Sequence, residues 1–285
     1  MPILGAHMSI AGGYDRAVRR ARDAGCDCLQ LFTKNNNQWR ARPITAQEAA
    51  SFRAALTELG ISHPLAHDSY LINLASPDRS LWQRSVGSFV AELQRAELLG
   101  IPNVVTHPGC YISGGPRAGL RRVSRALNRV HRQTSPAGPQ CLLETTAGQG
   151  TSLGWQFEQL AAILDGVKHP ERLGICLDTC HVFAAGYPMA TPEQYQATIA
   201  ALDRAVGLAR IKAFHLNDSA RDAGSRVDRH AHIGRGKMGL GPFRHLLNDP
   251  RFRQVPMYLE TPKGRLGDLD WDVVNLGTLR GLTGT

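Results

Sequence analysis

Eight short apolar runs, each long enough for one β-strand, recur along the chain, and segments of helical periodicity separate most of them. The runs cover residues 3–6, 28–32, 64–66, 104–106, 141–143, 175–177, 211–214 and 257–259. Parallel strands need a crossover between them, and a helix is the usual crossover, so this alternation predicts a parallel sheet covered by helices. Eight repeats without a linker or a break in composition predict a single (β/α)8 TIM barrel, with residues 1–285 as one domain. An open, doubly wound sheet is the alternative. The first run is followed by no G-x-G-x-x-G turn, which counts against it. Helix boundaries are also legible. Thr45 with Glu48, and Thr191 with Pro192 and Gln194, have capping-box spacing, while Gly25, Gly60 and Gly100 stand where helices stop.

At 285 residues and 42% hydrophobic side chains, the chain is long enough to bury a large core. Its apolar runs are strand-sized, and the opening MPILGAHMSIAGG lacks the basic and apolar regions of a leader, which predicts a soluble, cytoplasmic protein with no membrane role. Six cysteines without a C-x-x-C pair suggest neutral thiols: Cys141 and Cys176 as core filler, Cys110 and Cys180 as unreactive neighbours of polar residues. Lysines and arginines outnumber acids 33 to 24, a formal charge of +9, which favours a polyanionic partner. Arg117, Arg121, Arg125 and Arg129 follow one another at four-residue spacing opposite an apolar stripe of Leu120, Val123, Leu127 and Val130. A solvated helix face accounts for that row by itself.

Residues able to bind metal gather at the ends of the apolar runs. His67, His107, Glu144, Asp178, His215 and Glu260 close the third to eighth runs, His181 follows Asp178 by three residues, and His7 closes the first. In GSRVDRHAHIGRG, the alternation of Asp228, His230 and His232 places all three on one side of an extended segment. A (β/α)8 barrel brings the C-terminal ends of its strands to one mouth, so these residues converge if the fold is right. Imidazoles mixed with carboxylates suit zinc or manganese rather than calcium or magnesium. So many ligands exceed one tetrahedral ion, and they imply two or three ions. Clustered divalent cations activate a shared water and stabilise charge on both oxygens of a phosphodiester displacement. With a basic surface, the natural reading is a nuclease.

The motifs LAHDSYLINLASP, LLETTAGQGTSLG, CLDTCHVFAAGYP, FHLNDS, GSRVDRHAHIGRGKMG and LETPKG, with GAHMSIAGG and LFTKNNNQWRA, resemble those of the endonuclease IV family of apurinic/apyrimidinic endonucleases from end to end. The resemblance implies a trinuclear zinc site, manganese being an option at one position, that cuts double-stranded DNA 5′ to an abasic site and leaves a 3′ hydroxyl. It also implies cleaning of blocked 3′ ends, and no protein partner is required. Carried onto this chain, it implies that His67, His107 and Glu144 hold one ion. Glu144 then bridges to a second ion held by Asp178, His215 and Glu260, and His181, Asp228 and His230 hold the third. Glu260, Glu144 and Asp178 carry the catalysis, with Glu260 orienting or deprotonating the attacking water. Tyr70 and Leu71 match the positions that fill the gap left by an extruded abasic residue. Lys34, Asn37 and Arg229 are the further DNA contacts expected. Some members carry an arginine where this chain has Asn36 and Asn37, and Lys34 and Arg40 are the expected substitutes for its charge. His232 matches no ligand position and, like His7, is expected to support a ligand, touch phosphate or pack the loop. Two other readings are a metal-dependent sugar isomerase or epimerase on a related barrel, and a non-catalytic DNA-damage binding protein.

Overall fold

The computed structural model describes residues 1–284. Its barrel strands are β1 (Leu4–His7), β2 (Cys28–Phe32), β3 (Ser62–His67), β4 (Asn103–Thr106), β5 (Gln140–Glu144), β6 (Leu173–Asp178), β7 (Ile211–His215) and β8 (Met257–Leu259). They are all parallel and close in sequence order, with β1 paired to both β2 and β8, which excludes the open sheet. The helices between and around them are α1 (Tyr14–Asp23), α2 (Ala46–Leu59), α3 (Arg79–Leu99), α4 (Gly115–His131), α5 (Phe157–Asp165), α6 (Thr179–Ala185), α7 (Pro192–Val206), α8 (Gly241–Leu247) and α9 (Trp271–Arg280). The Thr45 and Thr191 capping boxes both form, and Gly60 and Gly100 end α2 and α3 in the left-handed conformation. No described helix is long and apolar enough to cross a membrane.

The inside of the barrel is built in layers. Cys28, Leu65, Val105, Leu142, Cys176, Ala213 and Tyr258, one from each of β2 to β8, form one buried cluster along the axis. Gly5 supplies the position from β1, and it must be glycine: a Cβ there would lie 1.9 Å from the Cys28 carbonyl oxygen. Side chains two residues apart on a strand share a face. Two residues beyond these eight positions stand His7, Gln30, His67, His107, Glu144, Asp178, His215 and Glu260. The apolar layer thus sets the parity of every strand and delivers one polar side chain per strand to the barrel mouth. In the outer shell, the apolar faces of the helices pack on the other strand face, as Val123, Leu127 and Val130 of α4 do, each fully buried.

Candidate metal centre

Glu144 lies at the centre of the mouth and is fully buried. Its Oε2 is 3.1 Å from His67 Nε2 and 3.0 Å from His107 Nε2, and its Oε1 is 3.0 Å from His215 Nδ1. His215 Nδ1 is also 3.3 Å from Glu260 Oε2 and 4.0 Å from Asp178 Oδ2. To one side, His181 Nε2 lies 3.1 Å from Asp228 Oδ2, and His230 Nε2 lies 3.4 Å from Asp228 Oδ1 and 3.7 Å from Asp178 Oδ2. Ligand atoms therefore fall into overlapping groups: His67, His107 and Glu144; Glu144, Asp178, His215 and Glu260; Asp178, His181 and His230; and Cys180, Asp228 and His230. The first two coincide with the expected sets. The third expected set is divided, with Asp228 and His181 in different groups that share His230.

The hydrogen bonds of the imidazoles test whether divalent ions fit here. His67 Nδ1 faces the Asp68 carbonyl at 2.9 Å, His181 Nδ1 the Thr145 carbonyl at 2.8 Å and His230 Nδ1 the Glu260 carbonyl at 3.1 Å. His215 Nε2 faces the Gln30 side-chain oxygen at 2.7 Å. A carbonyl oxygen only accepts, so each of these nitrogens carries the proton and the other nitrogen of a neutral ring presents a lone pair. Those lone pairs point at carboxylates, an arrangement that repels unless a cation lies between. His181 Nε2 and His230 Nε2 are moreover buried without a hydrogen-bond partner among the described residues. Donor atoms bonded at about 2.0–2.1 Å to one tetrahedral ion stand about 3.3 Å apart, the range these atoms span. The residues fit metal.

Protons play the cation's part in the electrostatics of the bare chain. Burial disfavours the charged form of His67, but the hydrogen bond and charge of Glu144 outweigh it and bring the ring up to about 9. His181 and His215 are raised too, against burial, His181 chiefly by Asp178 and Asp228 and His215 chiefly by Cys176 and Glu260. Burial would raise Glu144 and Glu260, yet the surrounding imidazoles hold both well below the usual carboxylate range. Asp228 likewise falls to about 2, because His181 more than offsets its burial. Burial lifts the Cys180 thiol to about 12, so it is the neutral thiol expected.

Three polar residues that the sequence reading left out hold the ligands in place. Gln30 accepts from His215, and its amide nitrogen reaches both Glu260 Oε1 and His7 Nδ1. Asn217 donates to Asp178 Oδ2 at 2.6 Å and accepts from the Glu260 backbone at 2.9 Å. Thr145 accepts from the Asp178 N–H and offers its carbonyl to His181. His7 itself lies 3.5 Å from Glu260 Oε1, beside the ligands rather than among the groups.

The rim places the expected DNA contacts unevenly. Tyr70 is 62% exposed, its ring 5.5 Å from that of Phe32, and Leu71 beside it is half-buried. Asn37, Arg40 and Arg229 are exposed. Lys34 requires correction as a phosphate contact and as a substitute for the missing arginine. It is 4% exposed, 3.0 Å from Glu92 on α3, and donates to the Gln38 carbonyl, so its charge is spent inside the protein. His232 turns away from the cluster despite its parity with His230. Its ring stacks on Trp271 with centroids 3.6 Å apart, and its Nδ1 accepts from Asn275. Of its expected roles, loop packing is the one with visible contacts. The rim also carries Ile112, 58% exposed with a left-handed φ of 55°, in the loop that leads from His107 to α4.

A closed barrel with clustered imidazoles and carboxylates at its mouth defines a metal-dependent barrel enzyme of the xylose isomerase-like class, and the family model described as "Xylose isomerase-like TIM barrel" matches residues 18–274. A Chloroflexus aurantiacus protein named probable endonuclease 4 is 52% identical over 282 residues, 99% of this chain and 98% of that one. Endonuclease IV from Thermus thermophilus superposes with a TM-score of 0.87 at 40% identity, covering 99% of this chain and 98% of that one. The 3-keto-D-glucoside 4-epimerase of E. coli, at 14% identity and a TM-score of 0.70 over 99% and 100% of the two chains, shares the fold. The chain belongs to the endonuclease IV family.

Proposed function

We propose that this protein is a DNA repair endonuclease that hydrolyses the phosphodiester 5′ to an abasic site in duplex DNA, leaves a 3′ hydroxyl and clears blocked 3′ ends. In this reading residues 1–285 form one catalytic domain. Three zinc ions, or manganese at one position, would be held by His67, His107 and Glu144, by Glu144, Asp178, His215 and Glu260, and by His181, Asp228 and His230. Such ions would supply a lowered pKa for a bound water and stabilisation of charge on the attacking and departing oxygens. The observation that carries the reading is the set of imidazole lone pairs aimed at buried carboxylates, in a chain of this family.

The chain's own groups divide the remaining work. Glu260, oriented by Gln30 and by the Asn217 contact to its backbone, orients or deprotonates the attacking water. Gln30 and the backbone carbonyls at Asp68 and Thr145 hold the imidazoles in the tautomers that present ligand nitrogens. Tyr70 and Leu71 occupy the space an extruded abasic residue leaves, the least costly residue to extrude because it has no base to unstack. Asn37 and Arg229 meet the backbone from the rim.

A sugar epimerase needs one or two metals and gives no role to the His181, Asp228 and His230 group. A duplex with one abasic site separates the readings: the nuclease nicks it and leaves an undamaged duplex whole. Glu260→Gln is expected to slow nicking by about 10³-fold or more while duplex binding stays near wild type. Intact DNA after incubation with the metal-loaded protein, or binding lost in step with cleavage in Glu260→Gln, would refute the proposal.

A further inference from the structure

The arginine row of α4 does not end in bulk solvent. Arg117, Arg121, Arg125 and Arg132, with Lys168 from the segment after α5, line one groove of about 600 Å³ on the outer flank of the barrel. None of these five cations makes a side-chain hydrogen bond or ion pair with any described residue. Arg129 is set apart, 6.0 Å from the Trp82 ring. The sequence explains the imbalance: no Asp or Glu occurs between Glu97 and Glu144, whereas six arginines do. Five like charges left unpaired along one groove repel each other, so they favour a ligand that brings negative charge.

The shape of the groove selects among anionic ligands. Five of its ten lining residues are cationic, two, Leu120 and Ala162, are apolar, and none is aromatic. The centre of a protein interface is usually depleted of charge and enriched in aromatic side chains, the reverse of this lining. Arg117, Arg121 and Arg125 instead repeat every fourth residue, about 6 Å apart along the helix, and Arg132 follows about 10 Å further on, so the row runs about 22 Å. Phosphates of one DNA strand recur every ~3.4 Å along the duplex axis, so the first three arginines meet about every second phosphate and Arg132 the third beyond them. Guanidinium forks suit phosphate oxygens as paired donors. α4 starts just after the mouth loop that follows His107 and leads down the flank, so a duplex lying across the mouth does not also lie along this row.

We propose that the α4–α5 groove is a second DNA-binding surface, which holds the backbone of lesion-free duplex by charge alone and keeps the protein on DNA away from the abasic site. It contributes affinity and salt dependence, not sequence or lesion preference.

The test uses the full-length, metal-loaded protein and a lesion-free duplex of about 30 base pairs, with binding followed by fluorescence anisotropy from roughly 50 to 200 mM salt. Replacing Arg117, Arg121, Arg125 and Arg132 together by Gln keeps helix propensity and removes four phosphate contacts. The slope of log K against log salt is expected to flatten by about 3 to 4, at ~0.9 per contact. A control that removes Arg19, Arg22, Arg79 and Arg204, exposed on other faces, loses the same net charge and is expected to keep the wild-type slope. Nicking of saturating abasic duplex is expected to be unchanged in both variants. An unchanged slope in the groove variant overturns the inference, as does equal flattening in the control, which would make the effect one of net charge. Retained DNA binding with lost binding to polyglutamate overturns it in favour of an acidic protein. None of these binding readouts involves cleavage, so a protein that fails to nick abasic DNA would refute the proposed function and leave this measurement standing.

Discussion

Replacing His230 and His232 by alanine, one at a time, separates ligands from neighbours within one loop. His230 Nε2 is buried, has no hydrogen-bond partner among the described residues, and lies 3.4 Å from Asp228 and 3.7 Å from Asp178. His230→Ala therefore opens a ligand position while disturbing little packing, and the protein is expected to lose about one bound ion with a large loss of rate. His232 touches none of the ligand groups. It stacks on Trp271 at 3.6 Å and accepts one hydrogen bond from Asn275 at 3.1 Å. Losing the stack costs about 0.5–1.5 kcal/mol and losing the hydrogen bond about 1 kcal/mol. His232→Ala is thus expected to lower the melting temperature by roughly 2–5 °C and to keep its full metal content. Elemental analysis of the two variants beside wild type, with thermal unfolding on the same samples, reads both effects. Equal metal loss in both would mean that the loop reaches the centre in another register. Full metal content in both would remove His230 from the site and leave His181 and Asp228 without their partner.

Lys34→Met leaves Glu92 buried and unpaired, so it is expected to cost about 3–5 kcal/mol of stability, measured by denaturant unfolding, with no change in the salt dependence of DNA binding. A flattened salt slope at unchanged stability would return Lys34 to the DNA surface. In metal-free protein, the ring of His67, raised to about 9, stabilises the fold fully below its ordinary pKa near 6.5 and loses that contribution as pH rises through about 9, up to ~3 kcal/mol. Zinc affinity should move the other way over the same window, because binding displaces that proton. A metal-free melting temperature that climbs from pH 6.5 to 9.5 would contradict the assignment. Ile112→Asn relieves about 1 kcal/mol of left-handed strain at an exposed position. It should raise the melting temperature by roughly 1–2 °C; a lower melting temperature would show that the turn is not strained.

The fold and most of the centre are legible in the sequence for one reason. A parallel barrel ties inward parity to strand position, so an apolar residue such as Leu65 or Leu142 announces where His67 or Glu144 will point. The same parity marks Gln30, two residues after Cys28, but an amide is not a metal ligand and a search by ligand type passes over it. Lys34 misleads because nothing in FTKN signals Glu92, far along the chain on α3, as the partner that draws it inward. Alternation places His232 with His230. The short strand that carries His230 ends at Ala231, however, and the chain then turns toward Trp271, so parity no longer holds. The division of the third group has the same origin: where Asp228 sits depends on loop geometry, not on a strand.

Hydrolysis 5′ to an abasic site is tested by mapping both ends of the nick. A duplex with a single abasic site, labelled on either side of it, is incubated with protein stripped of metal and with protein reloaded with zinc. No cut is expected without metal. With zinc, one cut is expected immediately 5′ to the site, and its upstream fragment ends in a 3′ hydroxyl that a DNA polymerase extends directly. A cut 3′ to the site, an upstream end that cannot be extended, or equal cutting by the stripped protein would contradict it.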